Sequence, residues 1–241
     1  MISIIIAAYD EEKRIQPSLF KIKEYVTKQS VDYEIIVVDD GSTDRTSKVV
    51  TYLTKDIPHL KFIRYEKNRG KGYALRTGVL ASKGEAVLLT DADLSTPIEE
   101  LSKLLPLISH NTCDIAIGSR ALALSKIIKK QPWWRQSMGK LFNKIVKILI
   151  VDDFSDTQCG FKLFSGNIAR DLFKETRIDR FAYDVEILAL AKKKGYRIIE
   201  VPIKWINSPE SKVKPIHDSL NMIIDLLRIR LTVGSVKSKP R

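Results

Sequence analysis

The sequence predicts an α/β fold: a mostly parallel central sheet flanked by helices, continuing into a C-terminal amphipathic helix. Three observations predict it. Strand-length apolar runs alternate with helix-length amphipathic segments through the first 120 residues. The strand runs are continuously apolar, as expected of strands covered on both faces. The 241 residues, 44% apolar and 29% charged, suffice for one sizeable core.

The elements follow in order. "SIIIAAY" (3–9) reads as a buried strand, and Ile15, Leu19, Ile22 and Val26 fall at helical spacing within 11–29. "YEIIVVDD" (33–40) is a second strand, and "STDRTSKVVTYLTKD" (42–56) opens a helix with Ser, Thr and Asp at its start. "LKFIRYE" (60–66) is a third strand. "GKGYALRTGVLAS" (70–82) is a helix entered through a glycine-rich turn, and "EAVLLTDAD" (85–93) is a fourth strand. "IEELSKLLPLI" (98–108) is a short helix, and "CDIAIGSR" (113–120) a fifth strand. Beyond Arg120 the pattern changes. Residues 121–136 read as a basic loop containing "QPWWRQ". Residues 137–150 read as a helix with Leu141, Phe142, Ile145, Ile148 and Leu149 on one face and Lys140, Lys144 and Lys147 on another. "DTQCGFKLF" (156–164) and "RIIEVPIKW" (197–205) read as strands, and "YDVEILALAKKKG" (183–195) as a helix. A last amphipathic helix covers 216–233 with Leu220, Ile223, Ile224, Leu227 and Leu231. The expected organisation is a domain over 1–215, split into halves at 120/121, followed by the helix and basic tail of 216–241.

Composition narrows the function classes. Residues 1–120 hold 17 Lys+Arg and 17 Asp+Glu, whereas residues 121–241 hold 24 and 12, so the second half carries the whole net charge of +12. Such an asymmetry predicts an anionic partner: a nucleic acid, a membrane surface or a phosphorylated substrate. No nucleic-acid motif appears, and acidic strand ends would repel a phosphate backbone, so nucleic acid is the least favoured. Two cysteines make no disulfide framework, which predicts a reducing, cytoplasmic setting. "MISIIIAAYDEE" has no basic start and reads as a strand rather than a targeting segment. No stretch approaches the ~18 uninterrupted apolar residues of a membrane span.

The chemistry is signalled where strands end. Asp10, Glu11 and Glu12 follow the first strand, Asp39 and Asp40 the second, and Asp91 and Asp93 the fourth. In parallel sheets ligands sit beyond the carboxyl ends of strands, so these seven carboxylates are expected to border one crevice, where a cation or hydrogen-bond donors must compensate them. Asp91 and Asp93 lie two apart on an extended chain and leave the same face. Paired carboxylate oxygens suit a hard divalent ion, Mg²⁺ or Mn²⁺, with further positions kept for phosphate oxygens. The competing reading, turn-forming aspartates that cap helices, suits Asp44.

Taken in order, "IIIAAYDEE", "EIIVVDDGSTD", "NRGKGYALRTG" and "LLTDADLST" resemble the family 2 glycosyltransferases with the GT-A fold. "DIAIGSR", "DTQCGFKLF", "FAYDVEIL" and "VPIKW" followed by "SKV" are similar to the branch that glycosylates polyprenyl phosphates, nearest to dolichyl-phosphate β-glucosyltransferases. The resemblance spans about 5–215. It implies that Tyr9 and Glu11 line a nucleotide-sugar pocket, together with Ala7, which replaces the family's usual proline. It implies that Asp39 accepts from the base or ribose with Asp40 beside it, that Lys71 lies near the nucleotide, and that Asp91 and Asp93 hold the metal, Asp93 more directly.

The implied reaction is inverting transfer of a hexose, glucose from UDP-glucose, to dolichyl or another polyprenyl phosphate. The alternatives are GDP-mannose as donor, or a soluble glycan as acceptor. A glycan hydroxyl needs a general base, and Asp184 or Asp156 would supply it. A phosphate monoester does not, because its second pKa is about 6; it needs cations to position it. Arg120, Arg135 and Lys212 are the expected cations, with Ser137 beside Arg135; Asp156, Gln158, Asp184 and Glu186 shape the acceptor side. A lipid acceptor implies a membrane surface, so the expectation is a peripheral protein on the cytoplasmic face. The lysine-bearing helix of 137–150 would lie in the interface, and Trp133 and Trp134 would anchor it.

Overall fold

The computed structural model describes residues 1–208 and 215–236. Seven strands make the central sheet: β1 (Ile2–Ala8), β2 (Tyr33–Asp40), β3 (Leu60–Tyr65), β4 (Ala86–Asp91), β5 (Ile115–Ser119), β7 (Lys162–Ser165) and β8 (Ile198–Pro202). Two short strands, β6 (Lys126–Lys129) and β9 (Lys204–Ile206), pair parallel as a separate ribbon. The helices are α1 (Ile15–Lys28), α2 (Thr46–Leu53), α3 (Lys71–Ala81), α4 (Leu101–Ser109, preceded by a 3₁₀ turn), α5 (Trp133–Leu149), α6 (Gly166–Glu175), α7 (Tyr183–Lys193) and α8 (Pro215–Thr232).

The sheet order is β3-β2-β1-β4-β7-β5-β8, parallel except for β7, which runs antiparallel between β4 and β5. Both faces are covered, which is why the strand sequences lack polar alternation. Ile4, Ile6, Ile35, Val37 and Leu88 point to a layer containing α1, α2 and α4. Ile5, Ile36, Val38, Val87 and Leu89 point to the other, built from α3, α6 and α7 with Val146 of α5 and Leu226 of α8. The expected fold class is therefore the observed one.

Several local expectations are corrected. The loop expected over 121–136 contains β6, which ends at Lys129, and the first turn of α5, which begins directly after Pro132. Of the strand expected over 156–164 only the end is strand. Residues 156–161 form a loop held by side-chain bonds, with both Glu200 carboxylate oxygens accepting Ser155 N–H and Asp156 N–H. Residues 197–205 divide at Ile203 between β8 in the main sheet and β9 in the ribbon. Helix α6 had no place in the sequence reading. The apolar stripe read on α8 faces outward at Ile223, Ile224, Leu227 and Leu231, which are exposed, while Met222, Leu226, Ile229 and Val233 pack into the core; the side chain of Leu220 lies outside those described. The stripe of α5 is split, with Phe142, Ile145 and Leu149 packed inward and Leu141 and Ile148 exposed.

Candidate active site

The carboxyl ends of β1, β2 and β4 meet where the strand order reverses, the place at which open α/β sheets bind ligands. Register fixes the neighbours: Ala8 lies opposite Asp39, and Ala7 opposite Asp91. The two alanines leave a floor between the carboxylates. A crevice of about 570 Å³ opens there, lined by Ala7, Tyr9, Glu11, Asp40, Lys71, Asp91 and Asp93, with Arg14, Asn68 and Arg180 at its walls. Of the seven strand-end carboxylates expected there, Asp10 and Glu12 lie outside this crevice, and Asp39 does not line it. That residue is fully buried, its Oδ1 accepting Ser42 N–H at 2.9 Å and its Oδ2 3.7 Å from Arg64.

The acidic rim carries its own cations. Arg14 grips Glu11 through two 2.6 Å bonds, donates to Ser208 Oγ at 2.7 Å, and lies 3.5 Å from Asp93. Lys71 Nζ donates to Asp91 Oδ1 at 2.6 Å. Burial works against the Lys71 ammonium, but Asp91, Asp184 and Asp93 more than offset it and raise its pKa. Burial likewise opposes ionisation of Asp91, and Lys71, Lys162 and Arg120 hold its pKa below the ordinary value. Asp40 accepts Arg69 and Gly70 N–H at 2.7 and 2.8 Å; burial nonetheless raises its pKa. Gly70 is the hinge of that turn. Its φ is +106°, and a Cβ there would meet Asp179 O at 2.4 Å, so α3 can start beside the crevice only with glycine.

Asp93 sits in a tight turn. Leu94 adopts φ +48°, and Asp93 Oδ1 accepts Ser95 N–H at 2.9 Å. A non-glycine residue held in the left-handed region stores local strain, a feature common at ligand sites. Next to Asp91 stands Gly160: because β7 runs antiparallel to β4, the loop before β7 lies against the end of β4, and a Cβ on Gly160 would come within 2.5 Å of Asp91 Oδ2.

A second crevice, of about 510 Å³, adjoins the first and shares Lys71, Arg135, Phe181, Trp205 and Met222 with it. Its further walls are cationic and apolar: Arg120, Lys130, Lys140, Trp134, Met138 and Phe142, with Gln158, Asp156 and Asp184 at the base. Arg120 is already engaged, its guanidinium donating to both Asp156 oxygens at 2.6 and 2.8 Å and lying 5.6 Å from the Trp205 ring centroid. Burial opposes charge on both partners of that pair, yet each favours the ionised form of the other, lowering the Asp156 pKa and raising that of Arg120. Lys130 and Arg135, by contrast, form no ion pair among the described residues. Ser137 lines neither crevice; it is exposed and donates back to Trp133 O at 3.0 Å. Lys212 lies outside the described residues.

Asp184 is not free either. Lys162, wholly buried on β7, donates to its Oδ1 and, at 2.5 Å, to Cys159 O. Burial is the larger influence on Asp184 and raises its pKa despite Lys162 and Lys71.

The comparisons fit this architecture. The chain matches the family model described as Glycosyl transferase family 2 over residues 3–173. The chain belongs to glycosyltransferase family 2. Among the curated relatives of this glycosyltransferase, the dolichyl-phosphate β-glucosyltransferase of Dictyostelium discoideum is 36% identical over 98% of this chain and 77% of its own length. The human protein of the same name is 37% identical over 95% of this chain and 75% of its own. Glucosyl-3-phosphoglycerate synthase from Mycobacterium tuberculosis, solved with Mn²⁺, uridine diphosphate and glucosyl-3-phosphoglycerate, superposes with a TM-score of 0.71. It is 18% identical over 97% of this chain and 80% of that one, which establishes the shared GT-A fold.

Sequence reasoning missed Arg14, Lys130, Lys162, Trp205 and Met222. Two had local signals. Arg14 lies three residues after Glu11 at a helix start, and Lys162 interrupts the otherwise apolar run "FKLF" of a strand buried on both faces. The others reach the crevices only through tertiary placement.

Proposed function

We propose that this enzyme moves glucose from UDP-glucose to dolichyl or another polyprenyl phosphate, with inversion, giving a β-linked lipid-phosphate sugar at the cytoplasmic face of a membrane. The observation that carries the reading is the pairing of crevices: an acidic one at the sheet's switch point and a cationic, aromatic one sharing its wall. The curated relatives' names point the same way. Residues 1–120 would form the donor half and 121–215 the acceptor half, with α8 adding Met222 to the wall.

Asp91 and Asp93 fit a hard divalent cation. Both offer carboxylate oxygens to the crevice, and no set of three or more acidic, His or Cys side chains encloses a complete cage among the described residues. Two carboxylates with phosphate oxygens completing the shell is the arrangement Mg²⁺ favours. Such an ion would supply charge neutralisation to the departing nucleoside diphosphate. The chain's residues do the rest. Lys71, between the two crevices, would move from Asp91 toward the donor's diphosphate. Arg135 and Lys130 would hold the acceptor phosphate, and Arg120, kept rigid by Asp156, would present its remaining N–H donors. A phosphate dianion attacks without a base. The engagement of both candidate bases supports that acceptor over a glycan hydroxyl: Arg120 occupies both Asp156 oxygens and lowers its pKa, and Lys162 occupies Asp184 Oδ1.

The test is incubation with labelled UDP-glucose or GDP-mannose, a short polyprenyl phosphate and Mg²⁺ or Mn²⁺, followed by organic extraction. Label from UDP-glucose should enter the organic phase and be lost in Asp93→Ala. Label retained in water, or accepted equally from both donors, would remove the assignment.

A further inference from the structure

One wall of the acidic crevice comes from residues 176–182, which join α6 to α7 and carry Arg180 and Phe181. The backbone of this segment is fixed. Glu186, expected on the acceptor side, lines neither crevice; buried in α7, it accepts Arg177 N–H and Ile178 N–H, each at 2.9 Å. Arg76 of α3 donates to Thr176 O at 3.0 Å and to Asp179 Oδ1 at 2.5 Å, while Asp179 O accepts Tyr73 N–H at 3.0 Å. A Cβ on Gly72 would meet Ile178 O at 2.4 Å and Arg180 O at 3.0 Å, so the backbone at 180 lies against the first turn of α3, beside Lys71. The Arg180 side chain, 40% exposed, has one partner among the described residues. That partner is Asp225 of α8, 45 positions on, whose Oδ1 accepts from Arg180 Nη2 at 3.2 Å and from Arg228 Nη1 at 3.3 Å.

We infer that Asp225 is a positioning residue: it aims the Arg180 guanidinium at the diphosphate of the bound donor, which makes α8 part of the donor site. The inference deepens the proposed function, on which it rests for the nature of the donor. Among the described residues the cations lining this crevice are Arg14, Lys71, Arg135 and Arg180. Arg14 and Lys71 are bound by carboxylates of the crevice itself, Glu11 and Asp91, and Arg135 is shared with the acceptor crevice. Arg180 differs, because its carboxylate lies behind it and outside the lining, so its other N–H groups are left for a ligand. Asp225 is an unfavourable residue for its place. It is 1% exposed, lies on the inward face of α8 with Met222, Leu226 and Ile229, and its Oδ2 has no hydrogen-bond partner among the described residues. An apolar residue there would extend the packed face without desolvating a carboxylate. Arg228 is exposed and water satisfies it, which leaves Arg180 as the group that needs Asp225. A guanidinium meets phosphate oxygens through paired N–H bonds only when its plane is held. An untethered arginine side chain loses that orientation to its rotamer freedom.

Calorimetric titration of the full chain with uridine diphosphate and uridine monophosphate, in Mg²⁺, tests the pairing. Wild type should bind the diphosphate roughly tenfold or more tighter than the monophosphate, and Arg180→Ala should lower that ratio about fivefold while leaving monophosphate affinity within about twofold. Asp225→Leu should lower the ratio nearly as far, yet unfold at no lower urea concentration than wild type. Asp225→Asn keeps the shape and an accepting oxygen but not the charge, and should lower the ratio about two- to threefold. In Arg180→Ala/Asp225→Leu the loss should equal that of Arg180→Ala alone, because the two residues act as one unit. An unchanged ratio in either Asp225 variant overturns the inference. So does a double variant in which the two losses add, or a wild type that binds both nucleotides equally. A wild type that takes guanosine but not uridine nucleotides removes the proposed donor alone, and the ratio for guanosine diphosphate and monophosphate then decides the role of Asp225.

Discussion

Gly160→Ala is the sharpest probe of the acidic crevice. The added methyl would lie 2.5 Å from Asp91 Oδ2, 2.6 Å from Oδ1 and 2.7 Å from Cγ, against ordinary contact of 3.4 Å or more. Something must therefore yield by about 0.9 Å. The glycine backbone is restrained, because β7 is paired on both sides and Lys162 Nζ holds Cys159 O at 2.5 Å. The carboxylate is the freer group, so Asp91 would rotate or shift away from Lys71 and from its place beside Asp93. A misplacement near 1 Å in a reacting constellation costs up to ~10²-fold in rate, about 2.7 kcal/mol of transition-state stabilisation. We expect kcat for transfer from UDP-glucose to fall 30- to 100-fold, and Mn²⁺ affinity, read by electron paramagnetic resonance of the protein with uridine diphosphate, to weaken in parallel. Thermal stability should change little, because the clash falls on a side chain at the crevice and not on the core. Transfer within twofold of wild type, with unchanged Mn²⁺ binding, would refute the claim that Asp91 must stay where Gly160 allows.

Other perturbations separate structure from chemistry. Lys162→Met leaves the buried Asp184 carboxylate without its ammonium partner and should cost about 3–5 kcal/mol in urea unfolding, whereas Lys162→Met/Asp184→Leu should recover most of it; equal losses in both would show that packing, not charge, is at stake. Asp156 has a folded pKa below its unfolded one, so its stabilising effect is present above the unfolded value of about 3.9 and fades as pH falls through the folded value. The stability gap between wild type and Asp156→Asn should thus be flat above about pH 5 and close below about pH 4; a gap that grows on acidification contradicts the Arg120 pairing.

The first 120 residues were largely legible in the sequence, because their signals are local. Continuous apolar runs specify strands covered on both faces, the carboxylates at their ends mark the ligand edge, and the glycine turn before α3 announces a close backbone approach. The chain beyond Arg120 was harder to read. Strand β7 inserts antiparallel between β4 and β5, and β6 pairs with β9 some 75 residues on; no periodicity encodes either partner.

Sequence alone determined the fold class, the family and the acidic crevice, since those depend on residue type and short spacing. Tertiary structure decided which charges are spent on one another: Arg120 on Asp156, Lys162 on Asp184 and Arg14 on Glu11. It also decided which face of α8 turns inward. Helical spacing shows that a helix has an apolar side, but not what that side meets. Charge pairing depends on distances of a few ångströms between residues as far apart as Arg14 and Asp93, 79 positions in sequence, and only the folded chain sets them.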